Sequence, residues 1–402
     1  MELTSQRVVL ALADGAIFEG RSFGAVSALA GEGRRGEVVF TTAMTGYQEV
    51  CTDPSYRGQM VVMTYPIIGN YGVARVAEES RRPWLSVLLV RDYCDEFSNW
   101  RATDSLDHFL TENGIPGIAE LDTRALTRHL RDHGTQRAIA RLVPDGAPLD
   151  REALTAAARA VRTVTDLDVV DEVSVSEIMD LTPHVGRKFA GGRNGASNDT
   201  GPALKRIVLI DTGYKQNIAS CLSERGLGVT LAPHDISLAQ LLALQPDGVL
   251  LSNGPGDPET VTHLIALTRE IMVRQIPLMG ICLGHQIVGL AAGARTSRLP
   301  FGHHGCNHPV MDLDSGEVTI TSQNHNFQVD ADSLPADSGF RVSHRNISDG
   351  SVEGLRHTSL PIFSVQYHPE AAPGPRDNRQ LFDHFARIVQ GQGPEESDHA
   401  TQ

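Results

Sequence analysis

Residues 276–290 read IPLMGICLGHQIVGL. The first six form a short, mostly apolar run of the kind found in a strand buried on both faces. From Leu283 onward the apolar residues recur at helical spacing. Between the two lies Gly280-Ile281-Cys282-Leu283-Gly284. A strand that passes into a helix over so few residues turns tightly, and side chains two positions either side of the centre would collide unless they are glycine. The central residue then stands above the sheet at a helix N-terminus, where the helix dipole and free N–H groups favour a thiolate. The stretch therefore predicts a nucleophile elbow that carries cysteine, with the Leu283 N–H aimed where an oxyanion would form.

Upstream of this elbow the pattern alternates regularly. Residues 206–213 (RIVLIDTG), 227–234 (LGVTLAPH), 247–254 (DGVLLSNG) and 276–281 read as strands, and helical patterns fill the spaces between them. Nearly continuous apolar strands separated by helices predict a parallel sheet covered on both faces. Such sheets bind ligands beyond the carboxyl ends of their strands, where SNGPGDP (252–258) and the cysteine elbow both fall. The first part of the chain reads differently. Residues 7–24 look like two strands turning at Asp14-Gly15, and 36–44, 59–66 and 85–93 are further strand candidates. Asp122 is placed to cap a helix that Gly134 ends, and Asp150 to cap another. Arg124, Arg128 and Arg131 form a basic stripe that reads as a solvated helix face. The fold class expected is thus α/β: a β-rich N-terminal domain over 1–188, a polar glycine-rich linker over 189–204, a parallel-sheet domain over 205–391 and a polar tail over 392–402.

Composition narrows the function classes. The 402 residues contain 41% hydrophobic and 21% charged types, which fits a globular chain. The formal charge of -14 argues against nucleic acid or an anionic membrane as the main partner. No apolar stretch is long enough for a transmembrane helix. The five cysteines (Cys51, Cys94, Cys221, Cys282 and Cys306) are odd in number and without CxxC pairs, so a reducing cytoplasm is expected rather than a disulfide framework. No GxxxxGK[ST] phosphate loop is present, and no cofactor is expected in this chain.

A cysteine nucleophile needs a base, and the base needs a group to orient it. The chain has 16 histidines, so proximity in sequence cannot choose among them. Residues 362–371, IFSVQYHPEA, can: an apolar strand stops at Pro369, and the period of two aims His368 and Glu370 the same way. The carboxylate would fix the imidazole tautomer and stabilise its charged form. A competing cluster lies at 301–310, FGHHGCNHPV, where His303, His304, Cys306 and His308 are all zinc-ligand types. Ligands so close in sequence do not readily surround one ion. The stretch is read as a polar structural loop, with no metal expected.

The elbow GxCxGxQ followed by HPE resembles the triad glutamine amidotransferases, in which the cysteine attacks the side-chain amide of glutamine. Residues 40–59, 64–72, 117–131, 301–310, 322–330 and 365–377 further resemble the small, glutamine-hydrolysing subunits of carbamoyl-phosphate synthases, in the same order and nearly end to end. The resemblance implies catalytic roles for Cys282, His368 and Glu370. It implies that glutamine is bound by Ser55, Gly254, Gly256, Leu283, Gln286, Asn324, Asn326 and Phe327, with the Gly254 and Leu283 N–H groups forming the oxyanion hole. Asn326 departs from the pattern, because the family normally has glycine there. Asparagine tolerates a left-handed backbone, which would preserve the loop shape. Cys306 likewise replaces a glycine of the family. The partners implied are L-glutamine and a large synthetase subunit that holds ATP and magnesium. A free-standing amidase with the same triad and a non-catalytic binding subunit are the alternatives.

Overall fold

A computed structural model describes residues 5–163, 169–182 and 204–392. The expected linker over 189–204 falls almost wholly outside the described residues, as does the polar tail from 393 onward.

Seven strands of the N-terminal part close into a barrel: β1 (Arg7–Leu12), β2 (Ile17–Gly24), β3 (Arg34–Thr41), β4 (Gln59–Met63), β5 (Val87–Leu89), β6 (Pro116–Ala119) and β7 (Gln136–Leu142), in the order β1-β2-β6-β5-β4-β3-β7. The hairpin at Asp14-Gly15 forms as expected, with Gly15 at φ 99° and β1 antiparallel to β2. Alternation along β1 divides its side chains. Val8, Leu10 and Leu12 join a core with Leu126 and Leu130 of the helix Thr123–His133, whereas Val9 and Ala11 meet Leu154 and Ala158 of the helix Arg151–Arg159. Asp122 and Asp150 cap these two helices through their side chains, accepting from Ala125 and Ala153 N–H. Arg124, Arg128 and Arg131 are exposed, in line with a solvated face.

Ten strands make the second sheet: β8 (Met179–Asp180), β9 (Arg206–Asp211), β10 (Gly228–Pro233), β11 (Gly248–Leu251), β12 (Leu278–Ile281), β13 (Thr296–Asp312), β14 (Val318–Val329), β15 (Phe340–Asn346), β16 (Val352–His357) and β17 (Ile362–Val365). Their order is β8-β10-β9-β11-β12-β17-β16-β15-β13-β14. The run β10-β9-β11-β12-β17 is parallel, as the sequence predicts. Period two again sorts the core: Ile207 and Leu209 face one apolar layer, Val208 and Ile210 the other.

The sheet is nonetheless mixed. An antiparallel wing, β16-β15-β13-β14, continues it past β17. The stretch 301–310 lies inside β13, so it is a strand and not the loop expected from its polarity. Its buried polar residues find partners across the sheet, which apolar periodicity cannot register. Asn326 is likewise extended within β14 and has no left-handed backbone, so the expected loop argument does not apply. Strand β8 lies before the expected boundary yet pairs with β10, so the sheet recruits chain from the N-terminal side of it.

Candidate active site

Four strand ends converge on one place. The chain leaves β9 at Thr212-Gly213, β11 at Ser252-Asn253-Gly254, β12 at Cys282 and β17 at Gln366 to Glu370. Cys282 is strained, with φ 54° and ψ -102°, and it caps the helix Leu283–Ala291. A non-glycine residue in so sparsely populated a region costs roughly 1–3 kcal/mol and is a mark of functional sites. The two glycines of the elbow have separate reasons. A Cβ on Gly280 would sit 2.7 Å from the carbonyl oxygen of Gly284, which is the collision expected within the turn. A Cβ on Gly284 would sit 2.3 Å from the carbonyl oxygen of Leu251, so this glycine seats the helix against β11. Because the obstacle is backbone, Gly284→Ala is expected to lose about 1–3 kcal/mol in urea unfolding. It should also displace Cys282 from its place above the sheet. An alanine variant of unchanged stability would remove this reading.

His368 and Glu370 point together as predicted. His368 Nδ1 donates to Glu370 Oε1 at 2.7 Å, and both side chains are buried. His368 Nε2 has no hydrogen-bond partner. The Cys282 thiol is close by, with its Sγ 3.5 Å from the carbonyl oxygen of Asn324. Burial pulls the His368 imidazole down. The Glu370 carboxylate and the Cys282 thiol outweigh it, so the imidazole is raised to about 10. Glu370 is pushed up by burial, but Lys215 and His368 overcome this and hold it at about 2.

Lys215 was not singled out from the sequence. It lies two residues after Gly213, fully buried, and its Nζ donates to Glu370 Oε1 at 2.9 Å and to the carbonyl oxygen of Ala371. Burial works against its charge, and Glu370, Asp53 and Glu79 restore it, so its pKa is raised. The unit is therefore four residues long: Cys282, His368, Glu370, Lys215. Asn217 adds a donor to the backbone carbonyl of Glu370. A lysine in a strand-to-helix turn carries no sequence signal beyond its place at the carboxyl end of β9.

The N-terminal domain reaches into this site through Asp53 and Ser55. Asp53 Oδ1 caps the turn Pro54–Tyr56 by accepting from Ser55 N–H at 2.9 Å. Its Oδ2 accepts from Asn324 Nδ2 at 2.8 Å, and Asn253 Nδ2 donates to Ser55 Oγ at 3.0 Å. Asp53 and Asn253, both absent from the expected set, thus couple the two domains at the site. Asn324 Oδ1 faces His304 Nδ1 at 2.8 Å, and Asn326 lies 3.2 Å from His304 Nε2. Burial lowers His304 to about 4, so its ring is neutral and carries one proton. Asn324 commits its amide nitrogen to Asp53, which places that proton on Nδ1; Nε2 is then an acceptor, and because Asn326 Oδ1 is the atom that faces it, the Asn326 amide must turn its nitrogen toward the ring to donate there.

The expected glutamine residues are only partly assembled. Asn324 and His368 line a small cavity of about 10 Å³ together with Asp53, Tyr56, Lys215 and Cys306. Gln286 sits one turn after the nucleophile, with its amide donating to Phe327 O at 2.9 Å and to Gln366 Oε1 at 3.0 Å. Phe327 thus presents its backbone there. Gly254 sits against Leu283, its missing Cβ 3.0 Å from the leucine side chain. Neither the Gly254 nor the Leu283 N–H has an acceptor among the described residues. Gly256 does not join the cluster; it has φ 94° and packs against Val169.

A strained cysteine at a helix N-terminus beside a histidine–carboxylate pair, on a parallel sheet, defines a class-I glutamine amidotransferase domain, and the model of the family "Glutamine amidotransferase class-I" matches residues 208–388. The model "Carbamoyl-phosphate synthase small chain, CPSase domain" matches residues 10–140. The carbamoyl phosphate synthase small chain of Symbiobacterium thermophilum is 48% identical over 380 residues, which is 94% of this chain and 97% of that protein. Those of Polynucleobacter asymbioticus and Thioalkalivibrio sulfidiphilus are 48% and 46% identical, covering 95% and 96% of this chain and 95% and 98% of their own length. The chain belongs to the carbamoyl phosphate synthase small chains.

Proposed function

We propose that this chain hydrolyses glutamine at Cys282 and delivers the ammonia to a large synthetase subunit. The observation that carries this reading is the buried array of Cys282, His368, Glu370 and Lys215 at the strand ends. With His368 raised to about 10, its Nε2 holds a proton at neutral pH and faces the cysteine as an imidazolium. Cys282 Sγ, its proton having passed to His368 Nε2, attacks the γ-carboxamide carbon. The oxygen of the tetrahedral intermediate is held by the N–H groups of Leu283 and Gly254. His368 Nε2 gives its proton to the amide nitrogen, the C–N bond breaks, ammonia departs and a γ-glutamyl thioester remains. Water then attacks the thioester, His368 accepts its proton, and glutamate leaves as the thiolate returns. None of these steps calls for a cofactor in this chain; ATP and magnesium belong with the large subunit.

The contacts of Asp53 with Asn324, and of Ser55 with Asn253, run from the N-terminal domain to the strand ends that carry the site. Because these contacts join the two domains, a partner that binds the N-terminal domain can raise glutaminase activity. The docking element is the loop Ile68 to Gly72. Beside it stand exposed Ile67 and the segment ending in Trp100, which is 86% exposed; Ser98 N–H ties that segment to Asn70 O. Isolated exposed apolar residues are ordinary, but a cluster at one loop marks an interaction surface.

Glutamate release by the purified chain, alone and with its large subunit, tests the reading. Weak activity alone, a rise with the partner and none in Cys282→Ser are expected. Full activity alone, unaffected by the partner, would favour a free-standing glutaminase. Trp100→Asp should weaken complex formation at least tenfold while leaving basal glutaminase intact. An unchanged affinity would move the docking surface elsewhere. A des-amino analogue of glutamine should be a poor substrate; equal turnover would contradict recognition of the amino-acid end.

No helix among the described residues is long and apolar enough to cross a membrane, and a cytoplasmic location fits the free cysteines.

A further inference from the structure

The antiparallel wing carries a second cluster of chemistry that glutamine hydrolysis does not use. One ring nitrogen each of His303 and His325 and a carboxylate oxygen of Glu353 lie within 4.8 Å of one another, and all three residues are buried. They come from β13, β14 and β16. The geometry points to a site for one divalent transition-metal ion of the zinc type, ligated by His303 Nδ1, His325 Nε2 and the Glu353 carboxylate.

Each ligand has its outward atom already held. His303 Nε2 is 2.9 Å from Asp349 Oδ2, and His325 Nδ1 is 2.7 Å from the carbonyl oxygen of Phe327. Glu353 Oε2 accepts from Gln323 Nε2 at 2.9 Å. Histidine that ligates a metal usually donates its other N–H to a carboxylate or a backbone carbonyl in this way. Two histidines and a glutamate are also a recurrent zinc set, with the fourth position left for water.

Of the atoms that face inward, the two imidazole nitrogens have unmet chemistry, while Glu353 Oε1 accepts from Asn346 Nδ2 at 3.2 Å. His303 Nδ1 is buried without a hydrogen-bond partner, 3.7 Å from Glu353 Oε1. His325 Nε2 is 3.0 Å from Gln323 Oε1. That amide cannot turn round, because its nitrogen donates to both Glu353 and Thr321. His325 therefore faces two oxygen acceptors, whereas a neutral imidazole has one N–H to give. With the proton on Nδ1 toward Phe327, a lone pair on Nε2 opposes an oxygen. An ion at Nε2 removes that conflict, neutralises Glu353 and uses the free nitrogen of His303. Bonds of about 2.0–2.1 Å put tetrahedral ligand atoms roughly 3.3 Å apart, so the side chains close in by about 1 Å on binding. The ion would brace the Phe327 carbonyl, which also receives the Gln286 amide. This departs from the expectation that the chain holds no metal. It stands independently of the glutaminase reading.

The test is zinc content of the full-length chain after dialysis without chelator, followed by competition with a chromophoric chelator. About one zinc per chain is expected. Asp349→Asn, a change at a half-exposed side chain, should weaken affinity roughly 10–100-fold, and Glu353→Gln should weaken it further. Should Glu353→Gln fail to fold, X-ray absorption on the unaltered zinc-loaded chain must show two imidazoles in a nitrogen and oxygen shell. The exposed set Asp104, His108 and Glu112 is the control. Zinc that is lost in His108→Ala and retained in Glu353→Gln overturns the proposal. So does a chain that retains no zinc and binds none on titration, which would mean that His303 carries a proton shared with Asp349 and Glu353.

Discussion

Glu370→Gln is expected to reduce the glutaminase kcat by about 10²–10⁴-fold, the usual contribution of a positioned acid–base histidine, while leaving the imidazole in place. Glu370 Oε1 receives both the His368 Nδ1–H and Lys215 Nζ, and Oε2 has no partner. A glutamine can present its oxygen to both donors and its nitrogen to the empty side, so orientation and tautomer survive. What is lost is the charge. The carboxylate is the main group holding His368 up against burial, so its imidazole falls from about 10 toward or below its ordinary 6.5. The alkaline limb of kcat/KM should move down with it. The variant also takes from the buried Lys215 cation its ion-pair partner, leaving only the more distant Asp53 and Glu79 carboxylates, a loss of about 3–5 kcal/mol in urea unfolding. A variant that keeps the wild-type alkaline limb would exclude the carboxylate as the group that charges His368.

Lys215→Met should cost less stability, about 3 kcal/mol at the low end of the same range, because Glu370 still has His368 as a partner. Its effect on turnover comes through position. Without Nζ, the turn at Ala371 and the Glu370 carboxylate lose an anchor, and a misplacement of about 1 Å is worth about 10²-fold in rate. The charges also shift. Lys215 holds Glu370 down and opposes the charge on His368, so both groups should titrate higher in the variant. The two residues touch, so the double variant Lys215→Met, Glu370→Gln should be more stable than the sum of the single losses allows, by about 0.5–3 kcal/mol. Strict additivity would mean that the ion pair is not energetically coupled.

The same shifts give stability a pH window. His368 is raised from 6.5 to about 10, so its contribution is complete below 6.5 and is lost as pH rises through about 10. Glu370 is lowered from 4.5 to about 2, so its contribution is complete above 4.5 and is lost as pH falls through about 2. Both are fully present only between about pH 4.5 and 6.5. Urea midpoints measured across pH should decline on either side of that interval, and Glu370→Gln should flatten both slopes.

Much of the molecule was legible in the chain itself. The parallel strands, the helices between them and the barrel hairpin follow from local periodicity and turn residues, which act over a few positions. The elbow around Cys282 and the pair His368 and Glu370 were readable for the same reason: a tight turn demands glycine, and a strand's period of two aligns residues two apart. The antiparallel wing was not. Its strands are buried by polar pairing across the sheet, and that pairing is invisible until His303 and His304 are seen to face opposite sides. Lys215, Asp53 and Asn253 escaped for a related reason, since each owes its role to a residue more than a hundred positions away. Sequence determined which residues could do the chemistry. Only the tertiary structure decided which charges are buried together, and it is the Glu370 carboxylate buried beside His368 that raises an imidazole which burial alone would lower.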